Sequence, residues 1–271
     1  MTDIQAIILG IIQGLTEFLP VSSSGHLVIG QHLFGLAEPE LLFDVAVHIG
    51  TLLAVCLYFR IEIAAIFIAV CRWPFDRRSK NPGPVPMTPE ARMGFLILAG
   101  SIPTAVIGLL LRDKAELLFS SVFLVGFMLI GTGGWMWFTR RLKPSRSTDR
   151  FSWGKALLIG TIQGVAVIPG ISRSGATIAA GLYLGLNRDT AARYSFLLSI
   201  PAIAGAALIS LRDFSAAGTA SMDVVLIGAT VASLVGYGAL SFLVYIVKKG
   251  NLYLFAPYCW AVGLLCIALA R

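Results

Sequence analysis

Residues 93–111, 117–138, 222–247 and 251–270 each run almost free of charge for longer than the roughly 18 residues that mark a membrane-spanning helix. Hydrocarbon offers no partner to a peptide N–H or C=O, so such stretches must close their hydrogen bonds within a helix or around a barrel. Period-two alternation of apolar and polar residues is missing, which argues against the barrel. At 57% hydrophobic and 13% charged residues, the chain is far more apolar than a soluble domain. The predicted class is an all-α polytopic membrane protein. The opening MTDIQAII lacks the basic start of a signal peptide and reads as part of the mature fold.

Within this apolar chain one pattern occurs twice. Residues 6–26 read AIILGIIQGLTEFLPVSSSGH, and residues 156–177 read ALLIGTIQGVAVIPGISRSGAT. Offset by 150 positions, Gly10, Gln13, Gly14, Ser22, Ser24 and Gly25 fall on Gly160, Gln163, Gly164, Ser172, Ser174 and Gly175. Each copy is a helix-like run that breaks at a proline, Pro20 or Pro169, and ends in hydroxyls beside glycine. The first copy carries Glu17 and His26, the second Arg173.

About six full transmembrane helices are expected, at 41–59, 92–111, 117–138, 190–211, 222–247 and 251–270, with a shorter interfacial helix at 61–71. The repeat copies, 3–35 and 152–186, are expected to be re-entrant broken-helix hairpins opening two halves, 1–150 and 151–271. Basic residues cluster in the loops 72–90 and 139–150. If each hairpin returns to its own side, most Lys and Arg share one face of the bilayer, so the net charge of +7 is explained by orientation and not by nucleic acid. Three spans then separate the copies. An odd number makes them enter from opposite faces, which is an inverted-topology repeat with a site between the halves.

The second break, PGISRSGAT, ends one helix and begins another, and a helix start offers free N–H groups to an anion. Arg173 adds a planar charged fork, and Ser172, Ser174, Gly175 and Thr177 add donors suited to a phosphate. In the first break Gln13 and Glu17 share a helix face, and His26 follows Ser22, Ser23 and Ser24. An imidazole there can act as base, acid or nucleophile, and a carboxylate can orient it or hold a hard cation. Asp44 and His48, four residues apart on the next span, form a weaker polar stripe. Four cysteines, Cys56, Cys71, Cys259 and Cys266, lie in or beside apolar runs without metal-ligand spacing and read as packing residues. Glycine faces such as Gly126 and Gly131 to Gly134 suit either a neighbouring helix or a second copy in a homodimer.

Two families are compared on these motifs. The type 2 lipid phosphatases share SGH and SR, but this chain has no Arg-Pro pair, and Ala179 stands where their second histidine is expected. The chain instead resembles the bacitracin-resistance family of undecaprenyl-diphosphate phosphatases, through Gln13 to Glu17 with Pro20 to His26, through Pro169 to Thr177, and through FDVAVHIGTL and ARYSFLLSIPAI. That resemblance implies hydrolysis of a polyprenyl diphosphate to the monophosphate, in the bacterial inner membrane, at a site opening to the periplasm. It also implies dependence on a divalent cation, Mg²⁺ or Ca²⁺. Gln13 stands where many relatives have glutamate, so Glu17 is left as the candidate cation ligand of that pair. In the resulting scheme Arg173, Ser172, Ser174 and Thr177 grip the diphosphate, while Glu17 orients His26 or shares the cation. The attacking group is Ser23, His26 or water, and the residues alone do not choose. The alternative function is a secondary transporter or flippase of an anionic lipid, since broken helices in an inverted repeat are the transporter pattern.

Overall fold

The computed structural model describes residues 1–36, 41–76, 87–112, 114, 121–142, 151–212 and 221–270, and every regular element among them is helical. In chain order these are α1 (Asp3–Phe18), α2 (Ser23–Leu33), α3 (Leu41–Tyr58), α4 (Arg60–Asp76), α5 (Pro89–Arg112), α6 (Val122–Trp137), α7 (Trp153–Val165), α8 (Arg173–Tyr183), α9 (Arg188–Arg212), α10 (Met222–Lys249) and α11 (Ala256–Leu269). Short 3-10 turns, Phe138–Arg141 and Leu252–Phe255, follow α6 and precede α11. Five helical stretches, Pro89–Arg112, Val122–Arg141, Arg188–Ser210, Met222–Lys249 and Leu252–Leu269, are long and apolar enough to cross a membrane. Leu42–Tyr58 and Arg60–Trp73 meet at 78° and make a sixth span if counted together. The chain is a polytopic helical membrane protein.

Local chemistry sets several boundaries. Thr2 and Gln5 form a reciprocal capping box at the start of α1. Ser121 caps α6 by accepting from the Leu124 amide, so the described helix begins at Val122; the expected start at 117 lies outside the described residues. The loops 72–90 and 139–150 also fall largely outside them. The expected interfacial helix at 61–71 is α4, longer than anticipated and joined to α3 by the bend at Phe59.

Glycines let each copy of the repeat press against a helix of the other half. A Cβ on Gly10 would stand 2.7 Å from the Gly228 carbonyl of α10, and one on Gly14 would stand 2.9 Å from the Ala232 carbonyl. In the second copy, a Cβ on Gly160 would overlap the Gly100 carbonyl of α5, and one on Gly164 would stand 2.8 Å from Ile107. Backbone contact of this kind is how membrane helices associate where no hydrophobic force drives them together. Helices α6 and α11 cross in the same manner, each of Gly126 and Gly263 bringing a Cβ position within 2.7 Å of the other's carbonyl. Gly131 and Gly134 meet nothing within 4 Å.

Beneath the first break, three rings fix the end of α1. Phe18, fully buried, stands edge-on to Phe196 of α9 at 6.1 Å between centroids, and Phe196 meets Phe59 at the α3–α4 bend at 6.3 Å. Edge-to-face contacts of this type add about 0.5–1.5 kcal/mol beyond the area buried. Glu17, the next residue back on α1, is thereby held at one place inside the protein.

Candidate active site

Both copies of the repeat are interrupted helices, α1–α2 and α7–α8, and their interruptions touch. Ser22 adopts a left-handed backbone conformation at φ +69°, unusual for a residue with a side chain, and Gly170 sits at φ +91°. The Gly170 amide donates to Ser22 Oγ at 3.1 Å. Thr132 Oγ1 of α6 donates to the Gly170 carbonyl at 3.2 Å and accepts from the Ser172 amide at 3.3 Å. The Cys259 thiol of α11 donates to the Pro20 carbonyl at 3.3 Å. Backbone freed by the breaks thus finds partners within the protein, as it must at membrane depth. One consequence is geometric: α2 starts at Ser23 and α8 starts at Arg173, so the positive ends of two helices face the same space.

That space is a cavity of about 390 Å³. Glu17, Ser22, Ser23, Ser24, Asp44, His48, Gln163, Ser172 and Arg173 supply its polar wall, and Ala202, Ile203, Ala206 and Ala207 of α9 supply an apolar one. Glu17 is the hub. Its Oε1 pairs with Arg173 Nη2, and its Oε2 accepts from the Ser23 hydroxyl at 2.6 Å and from Gln13 Nε2 at 3.1 Å. His48 Nε2 lies 3.9 Å from the same Oε2. Arg173 Nη1 is buried and has no hydrogen-bond partner among the described residues. One arm of the guanidinium therefore holds a carboxylate while the other has no hydrogen-bond partner among the described residues.

Not every expected residue reaches this cavity. His26 is absent from its wall: Nδ1 lies 2.8 Å from the Ser22 carbonyl, and Nε2 lies 2.8 Å from the Tyr258 hydroxyl with the two rings stacked. A carbonyl only accepts, so Nδ1 carries the proton and, in the neutral ring, Nε2 accepts from tyrosine. Glu17 thus bonds the Ser23 hydroxyl, whereas the expectation from the sequence was that it orients His26 or shares a cation. Ser174, Gly175 and Thr177 also face inward. Ser172 Oγ caps α8 by accepting from the Gly175 amide, and Thr177 bonds the Arg173 carbonyl at 2.8 Å and Ser195 at 2.5 Å. Thr177 thus closes on its own helix's backbone, and Ser174 Oγ lies 3.2 Å from Ser172 Oγ. Gln13 supports Glu17 from behind, and Asp44 accepts from Gln31 Nε2 at 2.6 Å. Sequence reasoning missed Gln163 as a wall residue, although the repeat pairs it with Gln13, and missed Tyr258 altogether.

The donor set does not amount to a resident metal cage. Among the described residues no three His, Cys, Asp or Glu side chains converge as a metal site. Both oxygens of Glu17 already accept hydrogen bonds, and Gln13 replaces the second carboxylate with an amide whose Oε1 is buried and unpartnered.

Comparison with known proteins bears on the same residues. The family model described as bacitracin resistance protein BacA matches residues 6–265. An undecaprenyl-diphosphatase of Desulforapulum autotrophicum is 54% identical over 266 residues, covering 97% of this chain and 96% of that protein. One from Desulfosudis oleivorans is 52% identical over 97% of each chain, and one from Halothermothrix orenii is 44% identical over 100% of this chain and 99% of its own.

Proposed function

Because this chain belongs to the bacitracin resistance protein BacA family, we propose that it hydrolyses undecaprenyl diphosphate to undecaprenyl phosphate and inorganic phosphate. The observation that carries the reading is the cluster of Ser23, Glu17 and Arg173, with Arg173 Nη1 unpartnered where two helix starts meet. A diphosphate head placed there meets a fixed cation and two positive helix ends, preorganised for charge that develops on the transferring phosphoryl group. The apolar wall from α9 and the surrounding bilayer suit the polyprenyl tail.

In the first step the Ser23 oxygen attacks the terminal phosphorus while its proton passes to Glu17 Oε2, 2.6 Å away. The bond from that phosphorus to the bridging oxygen breaks, and the lipid monophosphate leaves with the bridging oxygen. Water then attacks the phosphoserine, releasing phosphate and returning the proton on Glu17 to Ser23. Of the three attacking groups that the sequence leaves open, Ser23 alone combines a place in the cavity wall with a direct bond to a carboxylate.

His26 takes a positioning role in this reading. Its Nδ1–H holds the Ser22 carbonyl in the left-handed conformation that aims the next residue, Ser23, at Glu17. Replacing His26 with alanine is expected to lower kcat on the order of tenfold to a hundredfold through misplacement of Ser23. The pH profile should keep its shape, and His26→Gln, which retains an N–H donor, should recover part of the rate. A titration limb that disappears in His26→Gln would assign the imidazole to chemistry instead.

The divalent cation is read as arriving on the diphosphate, since the cavity residues do not assemble a cage of their own. The halves are read as an inverted pair with re-entrant hairpins, supported by the exchange in which α1 packs on α10 and α7 packs on α5. The protein is read as a bacterial inner-membrane enzyme whose first hairpin enters from the periplasmic side, a reading supported by the Lys and Arg gathered in the loops 72–90 and 139–150. The test of the whole reading is phosphate release by purified protein in detergent, where no transmembrane gradient exists. Release should require Mg²⁺ or Ca²⁺, stop with a chelator, and follow the concentration of the cation–substrate complex. Calorimetry should find no tight Ca²⁺ binding to substrate-free protein. Well-folded protein that binds the lipid diphosphate without releasing phosphate would favour transport.

A further inference from the structure

His26 and His48 share one local geometry and differ in what faces the second ring nitrogen. Each lies four residues beyond a backbone carbonyl that its Nδ1 contacts, Ser22 at 2.8 Å for His26 and Asp44 at 2.7 Å for His48. That contact places the proton of the neutral ring on Nδ1 and leaves Nε2 with a lone pair. In His26 the lone pair is occupied by Tyr258. In His48, a residue of the cavity wall, Nε2 stands 3.9 Å from Glu17 Oε2, and the imidazole side chain keeps 35% of its surface exposed.

We propose that His48 is a second acid–base group of the active site, taking the proton from the water that cleaves the phosphoserine on Ser23. The inference rests on the reading of Ser23 as nucleophile and goes beyond it. In that reading Glu17 holds the Ser23 proton from the first step until it returns it in the second, and so does not itself take the proton of the water. Another acceptor has to stand nearby, and His48 Nε2 is 3.9 Å from the Glu17 oxygen that receives from Ser23. Bonds and protons then balance: the water oxygen bonds phosphorus, the Ser23–phosphorus bond breaks, the water proton goes to His48 Nε2, and Glu17 returns its proton to Ser23. His48 releases the proton to solvent as phosphate departs.

Few charged groups surround the His48 ring. The charged groups facing it are Glu17 from α1 and Arg173 from α8, with Asp44 one turn back on α3. α9, packed against α3, faces the cavity with Ala202, Ile203, Ala206, Ala207 and Ser210, and α10 carries no Asp, Glu, Lys or Arg between Asp223 and Lys248. Glu17 and Arg173 pair with each other.

The experiment is rapid-quench turnover of undecaprenyl diphosphate labelled in its terminal phosphate, comparing wild type, His48→Gln and His48→Ala. His48→Gln is expected to lose about a hundredfold in kcat, within the usual range for a general base. KM should change less than about threefold, phosphoserine should accumulate on most of the enzyme, and the acidic limb of the kcat profile should flatten. Imidazole added to His48→Ala should restore several-fold of the rate if the variant is folded. Wild-type kcat and acidic limb in His48→Gln, or a slower enzyme without accumulated phosphoserine, would overturn the assignment. Should wild type release phosphate without ever forming phosphoserine, and Ser23→Ala stay active, the nucleophile reading itself falls.

Discussion

Ser23→Ala protein is expected to fold, to bind undecaprenyl diphosphate, and to release phosphate at less than about one ten-thousandth of the wild-type rate, the scale of losing a nucleophile. Ser23 is the first residue of α2, so its hydroxyl sits at a positive helix end, and its proton already points at Glu17 Oε2 over 2.6 Å. The neighbouring hydroxyls are otherwise engaged: Ser22 Oγ accepts from the Gly170 amide and lies 3.4 Å from Ser24 Oγ. Removing one oxygen at a half-buried position opens little space and breaks no ion pair, so the melting temperature should shift by only a few degrees. Acid-quenched wild type should yield a phosphopeptide containing Ser23, and the variant should yield none. Retention of more than about a tenth of the activity would transfer the attack to water.

Parts of this site are legible in the sequence alone, and the reason lies in the repeat. Two copies that share glutamine, glycine and serine at one spacing but differ at Glu17, His26 and Arg173 point to two breaks that face each other, and Arg173 does pair with Glu17. Glycine at Gly10, Gly14, Gly160 and Gly164 likewise marks helix faces built for backbone contact, although the partner helices, α10 and α5, are not written beside them. What could not be read is direction. His26 stands inside the strongest motif, yet a ring four residues past Ser22 folds back onto that residue's carbonyl, and Tyr258, 232 positions away, completes its bonding. His48 belongs to a weaker pattern, and its place opposite Glu17 follows from how α3 packs between α9 and α10. Ser174 and Thr177 look like open donors in a line of letters. In the folded chain Ser174 pairs with the Ser172 hydroxyl, and Thr177 is drawn to the Arg173 carbonyl and to Ser195.

Arg173 and Glu17 carry the second large effect, and they allow chemistry and folding to be separated. Arg173→Ala should abolish measurable phosphate release, because it removes both the free Nη1 donor and the fixed charge beside the diphosphate. It should also destabilise the protein by about 3–5 kcal/mol, since Glu17 would remain buried as an unpaired carboxylate. Arg173→Lys keeps a charge but not a fork that holds Glu17 with one nitrogen and a phosphate with the other, so a loss on the order of a hundredfold to a thousandfold in kcat/KM is expected. The decisive protein is Glu17→Gln combined with Arg173→Ala, in which neither buried charge is left without its partner. Its thermal midpoint should recover most of what Arg173→Ala loses, while phosphate release stays at background. Recovery of activity together with stability would mean that the pair only holds the two helix breaks in place, and the catalytic charge would then have to be sought elsewhere in the cavity.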